Sequence, residues 1–244
     1  MAGLEGKVCF VTGAGDGQGR AHALYAAEAG ADVVLLDLCE PIAGLAYPAV
    51  TEESLEKTAE MVRAHGRRAI ARSADVRDQA SLDAAVEQAM DEFGHIDIVS
   101  ATASVVDHGS ILDIDARTWA QVIDINFSGT WRTAKAVIPV MRAAGNGGSI
   151  VLATSSAGLQ GYTNCSHYVA AAHAVARLTR TLALEVAADN IRVNALCPTA
   201  RSASAEKPTA AELADTTNAF AWLVSDAAGY VTGVALPIET GAAT

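Results

Sequence analysis

Cysteine is scarce and scattered: Cys9, Cys39, Cys165 and Cys197 are the only four in 244 residues, with no Cys-X-X-Cys pair and no Cys/His spacing suited to a metal. That excludes a disulfide framework and a zinc site, and the four read as reduced core or loop thiols. Basic residues are outnumbered, 17 Lys plus Arg against 28 Asp plus Glu, and no basic run stands out in a chain of net charge −11. Without a stripe to track phosphates, nucleic acid is excluded as a partner. No apolar run approaches the ~18 residues of a membrane span. The first nine residues hold Glu5 and Lys7 where a signal peptide would be apolar, so the expected setting is cytoplasmic, away from membranes. Charged residues make up only 18% against 51% hydrophobic ones, which excludes disorder as the main state. The length suits one larger α/β domain over residues 1–244.

What is present is alternation. Short apolar runs at 8–12, 32–37, 68–73, 96–101, 149–154, 191–196 and 234–238 are separated by stretches of helical period at 19–29, 52–65, 80–93, 117–142, 168–188 and 210–224. Repeated strand–helix units predict a seven-stranded parallel sheet covered by helices on both faces. Two segments are irregular. Residues 38–50, with Pro41, Gly44, Tyr47 and Pro48, form a loop longer than a strand–helix connection needs, and such loops usually serve a ligand or partner. Residues 198–208 are polar and alanine-rich, with Arg201 and Lys207, and read as a mobile segment.

The first strand runs into Thr12-Gly13-Ala14-Gly15-Asp16-Gly17-Gln18-Gly19-Arg20 and then into an apolar-periodic helix. Glycines at such spacing let the chain turn tightly, approach a diphosphate and pack helix on strand, while the helix start offers free N–H groups and a positive dipole end. The glycine spacing alone describes any tight turn; the strand before it and the helix after it point to a dinucleotide. The second strand ends in Asp37, 18 positions after Gly19, where a carboxylate can accept from two ribose hydroxyls and would repel a 2′-phosphate. NAD is therefore the expected cofactor rather than NADP. Asp75-Val76, after the third strand, offers a second carboxylate for the adenine amino group or a cap for the next helix.

Together these residues resemble the short-chain dehydrogenase/reductase family: the glycine spacing, Asp37, Asp75-Val76, Asn126, Ser155 and Tyr168 fall in the family's order across nearly the whole chain. The likeness is nearest to the actinobacterial, mycofactocin-coupled branch with carveol-dehydrogenase-like members, through residues 16–22, the 38–50 loop with Tyr47-Pro48, and Asp226-Ala227-Ala228 leading to Tyr230-Val231-Thr232-Gly233. The resemblance implies a single-domain Rossmann fold that binds NAD through Gly13, Asp16, Gly17, Gln18, Gly19, Asp37, Leu38, Asp75, Val76, Pro198 and Thr199. It implies that the long loop folds over the adenosine end. It further implies hydride transfer with a small alcohol or ketone, the phenol of Tyr168 moving the proton, Ser155 polarising the substrate oxygen and Asn126 supporting a water relay. A homo-tetramer built through the helices near 117–142 and 168–188 is implied as well.

The family's lysine, four residues after the tyrosine, is absent. Position 172 is alanine, and His173 lies one residue out of phase, about 140° from the tyrosine around the helix. His167 and Arg177 are no better placed. Ala101-Thr102-Ala103-Ser104 stands where the family has Asn-Asn-Ala-Gly, with expected loss of the side chains that brace the sheet, and Ala203 replaces a threonine expected at the carboxamide. The substrate lid around 198–210 is short. These losses predict an impaired enzyme or, alternatively, an NAD-binding sensor or partner subunit beside an active paralogue. A purely structural subunit conflicts with the intact glycine loop. His22, His65, His95 and His108 read as surface or cap residues, no metal site is expected, and Trp119 and Trp131 read as packing residues.

Overall fold

Five consecutive buried residues, Val8–Thr12, form β1. A run that is dry on both faces is what a central parallel strand requires, because helices cover it front and back. The computed structural model describes residues 3–45, 49–199 and 208–239. In it β1 is joined by β2 (Asp32–Asp37), β3 (Ala69–Ser73), β4 (Ile98–Ala101), β5 (Gly148–Ala153), β6 (Ile191–Pro198) and β7 (Ala235–Ile238). Every pair is parallel, in the order β3-β2-β1-β4-β5-β6-β7. This is the expected Rossmann-like α/β fold. Because β1 lies between β2 and β4, the connections leave it in opposite directions and open a crevice at the carboxyl ends of the strands.

The helices are α1 (Gly17–Glu28), α2 (Glu52–Ala64), α3 (Gln79–Phe93), α4 (Ala116–Ile123), α5 (Thr130–Ala144), α6 (Ser166–Glu185) and α7 (Ala210–Val224). Alternating strand residues divide the core into two layers. Cys9, Val11, Val33 and Leu35 pack with Ala23 of α1, Leu55 of α2 and Phe220 of α7. Val8, Phe10, Val34 and Leu36 pack on the other face with Leu82 of α3, Val137 of α5 and Val175 of α6. Thr51, Asp78 and Asp115 cap α2, α3 and α4 through side-chain oxygens, and Thr209 with Glu212 forms a reciprocal box at the start of α7.

Several expectations change. The single helix expected over 117–142 is interrupted by a π-helical turn, Asp124–Gly129, between α4 and α5. The helix expected over 168–188 ends at Glu185 and is followed by a 3₁₀ turn, Ala187–Asp189. Trp119 and Trp131 do not pack inside; they are 43% and 42% exposed. His22 is no surface residue: it is fully buried, stacked on Phe220 at 4.2 Å between ring centroids, with Nδ1 2.8 Å from the Ser100 hydroxyl. All four cysteines are free. Residues 38–45 and 49–50 carry no helix or strand, as expected of the long loop, whereas Tyr47-Pro48 and the segment 200–207, with Arg201, Ala203 and Lys207, lie outside the described residues. Among the described residues, no helix is long and apolar enough to cross a membrane.

Candidate active site

From Thr12 the chain turns through the glycine loop into α1. Gly13 has φ +68°, and a Cβ there would stand 2.9 Å from the Ala103 backbone; a Cβ on Gly19 would run into the Gly13 carbonyl. Both positions therefore need glycine. Gly17, at φ +53°, has no atom of the described residues within 4 Å of where its Cβ would be, so among them the space beside it is open. Asp16 caps α1, its Oδ1 accepting the Gly17 N–H at 2.8 Å, and Gln18 follows in the first turn.

Asp37 reaches back from the end of β2 to this loop. Its Oδ2 accepts the Gly15 N–H at 2.9 Å and its Oδ1 the Leu38 N–H at 2.8 Å. Burial pushes the carboxyl above the usual carboxylate range, against the pull of these two donors. A carboxylate has about four acceptor positions, so two remain for a pair of hydroxyls such as a ribose diol presents. Sequence reading gave no part to Arg20, Ser54 and Thr58, yet they hold the same loop. The Arg20 guanidinium donates to the Gly15 carbonyl, to Ser54 O and Oγ at 2.9 and 2.8 Å, and to Thr58 Oγ1 at 2.9 Å. Ser54 Oγ also donates to Gly15 O, and Thr58 Oγ1 to Ala14 O. The only available signal was that Arg20 falls one helical turn after Asp16.

Asp75 does not cap α3, because Asp78 does. Its carboxylate is engaged by Arg77, through Nε at 2.9 Å to both oxygens, a terminal nitrogen at 2.7 Å and the backbone N–H at 2.8 Å. Burial raises this carboxyl, but the Arg77 hydrogen bonds outweigh it and hold the group below the ordinary range. Val76 is buried, and a Cβ on Gly129 would come 2.7 Å from its methyl.

On the other side of the crevice, Asn126 lies in the π turn and bonds the Val105 backbone twice, accepting its N–H and donating to its carbonyl, each at 2.8 Å. Ser155 follows β5; its Oγ accepts the Ala157 N–H at 3.2 Å and caps a 3₁₀ turn, Ser156–Gly158. Tyr168 stands in the first turn of α6, partly buried against the core. Pro198 and Thr199 close β6. The Thr199 hydroxyl is buried with no hydrogen-bond partner among the described residues.

Ala172 is one turn beyond Tyr168, 5% exposed, and its carbonyl accepts the Thr154 hydroxyl at 3.1 Å. Neither nearby imidazole takes the place of a lysine: His173 Nδ1 donates to its own helix at Val169 O, and His167 Nε2 donates to Asp107 at 3.1 Å. The expected loss of bracing after β4 is corrected, because Thr102 Oγ1 donates to Thr12 O at 2.5 Å while the Ala103 N–H meets Thr12 Oγ1 at 3.3 Å. A threonine thus ties β4 to β1. Among the described residues, no group of three His, Cys, Asp or Glu could hold a metal.

Residues 7–213 match the family described as short chain dehydrogenase. The chain is 42% identical over 273 aligned residues to (−)-trans-carveol dehydrogenase of Rhodococcus erythropolis, covering 99% of both. Its fold is similar to that of carveol dehydrogenase from Mycobacterium avium in complex with NAD, with a TM-score of 0.92, 37% identity and 99% of each chain covered. A short chain dehydrogenase from Mycobacterium paratuberculosis bound to NAD is similar at a TM-score of 0.90 and 33% identity, over 98% of each chain.

Proposed function

The chain belongs to the short chain dehydrogenase family, and we propose that it is an NAD-dependent oxidoreductase for small secondary alcohols or ketones whose turnover is slowed by alanine at 172. The observation that carries the NAD reading is the Asp37–Gly15 contact, which sets a carboxylate with spare acceptor positions beside a glycine loop at the head of α1. The open space beside Gly17 and the unpartnered hydroxyl of Thr199 fit the same cofactor. NAD-bound relatives of the same fold support it.

Bound NAD supplies the hydride acceptor, and in its reduced form the donor. The loop from Gly13 to Gly19, with Asp16 and Gln18, holds the diphosphate against the start of α1. Asp37 and the Leu38 backbone hold the adenosine ribose, Val76 borders the adenine beside the Asp75–Arg77 pair, and Pro198 with Thr199 receives the carboxamide. Ser155 Oγ polarises the substrate oxygen, the Tyr168 phenol takes up or returns its proton, and Asn126 fixes the loop at Val105. A lysine one turn beyond Tyr168 would set a cation beside the phenol and favour its ionised, proton-accepting form, and alanine at 172 supplies none. The lost lysine therefore costs about 10²- to 10⁴-fold, the usual contribution of general acid–base catalysis.

A second reading, an NAD-binding sensor or partner subunit, is favoured by one observation: Ala172 is packed against the turn at Gly158, and the adjacent histidines are committed elsewhere. The half-exposed Trp119, Trp131 and Trp222 suit contacts between copies in a homo-tetramer or with an active paralogue. Four free thiols fit a cytoplasmic setting.

Titration of the purified chain with NAD and NADP by calorimetry tests the reading. Saturable NAD binding with much weaker NADP binding is expected, and no measurable affinity for NAD would overturn both forms of it.

A further inference from the structure

One hydrogen-bonded pair of side chains on the substrate side of the crevice is not used by the chemistry above. His167, fully buried on the first turn of α6, donates from Nε2 to Asp107 Oδ2 at 3.1 Å, and Asp107 keeps 24% of its side chain exposed. The other face of the imidazole environment is Trp119 of α4, whose ring lies 6.5 Å away at 20° to it. The pair therefore joins three pieces of chain: the β4–α4 loop, α4 and the turn that carries Tyr168.

The same loop is tied at two more points. Val105 is held by both side-chain bonds of Asn126, and the Gly109 N–H donates to Asn164 O at 2.8 Å. Residues 105–109 are thus suspended between the π turn of Asn126 and the start of α6. Of the three ties, only the Asp107–His167 bond joins two side chains, and a hydrogen bond to an ionised carboxylate is stronger than a neutral one. A neighbouring feature points to unused bonding capacity: Ser166 Oγ and His167 Nδ1, adjacent on this turn, are buried with no hydrogen-bond partner among the described residues.

We propose that Asp107 and His167 form a positioning pair that holds the 105–109 loop against the Tyr168 turn and thereby sets the shape of the space offered to a secondary alcohol or ketone. The inference rests on the oxidoreductase reading for its substrate class. His167 touches no reacting atom in it; it acts through the loop and through the placement of Tyr168. Selectivity for the carbon skeleton then depends on the pair, while NAD affinity, governed by residues across the crevice, does not.

The test compares the full chain with His167→Gln, which keeps a donor near Nε2, and His167→Phe, which keeps a ring against Trp119 and loses the donor. Calorimetry gives the affinity for NAD and, on the NAD-saturated protein, for trans-carveol as probe; hydrogen exchange reports residues 105–109. The Phe variant should weaken trans-carveol binding and speed exchange of 105–109 by about tenfold each, the size of one charge-assisted hydrogen bond. Its NAD affinity should stay within about twofold, and the Gln variant should restore both readouts, as a local hydrogen bond requires. Unchanged exchange and unchanged trans-carveol binding in the Phe variant would overturn the proposal. So would equal losses of NAD and trans-carveol binding that Gln does not repair, which mark a general folding role. If the wild-type chain takes no NAD, the oxidoreductase reading falls by itself, and the exchange of 105–109 still decides whether the pair holds the loop.

Discussion

The carboxylate of Asp37 and the amide of Gly15 stand 2.9 Å apart, so the end of β2 and the glycine turn after β1 form one unit although 22 residues separate them. Arg20, Ser54 and Thr58 bind the carbonyl side of the same turn. Any ligand held by the glycine loop is therefore also placed against Asp37.

Asp37→Asn keeps an acceptor oxygen and removes the charge. NAD affinity should fall by about 10- to 100-fold, as hydrogen bonds to a charged group imply, and the preference for NAD over NADP should shrink because a 2′-phosphate is no longer repelled. The pH dependence has a definite sign. Burial raises the Asp37 carboxyl above 3.8, and only its ionised form accepts from both hydroxyls, so NAD affinity in the wild type should begin to fall on acidification before ordinary carboxylates titrate. Calorimetry across that range should show a flatter profile for the variant; identical profiles would remove Asp37 from the site.

His22 makes acid stability a second measurable property. Burial lowers its pKa from 6.5 to about 3, so the folded chain keeps the ring neutral while the unfolded chain protonates it. Stability is full above 6.5 and is lost as pH falls through the window down to about 3, at up to about 1.4 kcal/mol per pH unit. Asp32 and Asp75 act lower: their carboxyls lie below 3.8, so their contribution is lost only beneath that value. Urea midpoints at pH 7 and pH 5 should differ clearly in the wild type. His22→Asn, which keeps a group near Ser100, should start less stable through the lost stacking on Phe220 and show a smaller difference between the two pH values.

Local pattern made much of this legible. β1 and β2 were readable because strands dry on both faces are continuous apolar runs, and the glycine turn because steric need at Gly13 and Gly19 leaves one residue type. The π turn was not readable, since what accompanies it is Asn126 bonding Val105, a tertiary contact with no period in the chain. His22 was misplaced for the same reason: its neighbour Phe220 comes from α7, far along the sequence. Thr102 shows the limit of matching by residue type, because a hydroxyl braces β1 where the absence of the family's amide side chains implied that the brace was lost. The role of Arg20 was not legible either, since the Gly15 and Ser54 carbonyls that it binds meet it only once the glycine turn and α2 are folded together.

Ala172 separates the two functional readings. It follows Tyr168 by one turn and is 5% exposed, with its carbonyl already bound by Thr154, so a longer side chain changes what lies beside the phenol without removing a backbone contact. If the scaffold is an idle dehydrogenase, Ala172→Lys should raise alcohol-dependent NAD reduction by about 10²- to 10⁴-fold at neutral pH. Ala172→Met, of similar length and no charge, should give no gain, which separates electrostatics from packing. The rate of the lysine variant should reach its plateau at lower pH than that of the wild type, because a cation beside a phenol favours the phenolate. Initial rates of NADH formation with trans-carveol, alongside melting curves to establish that both variants fold, measure all of this. A folded, NAD-saturated lysine variant no faster than wild type would mean that more than one charge is missing, and the sensor or partner-subunit reading would take its place.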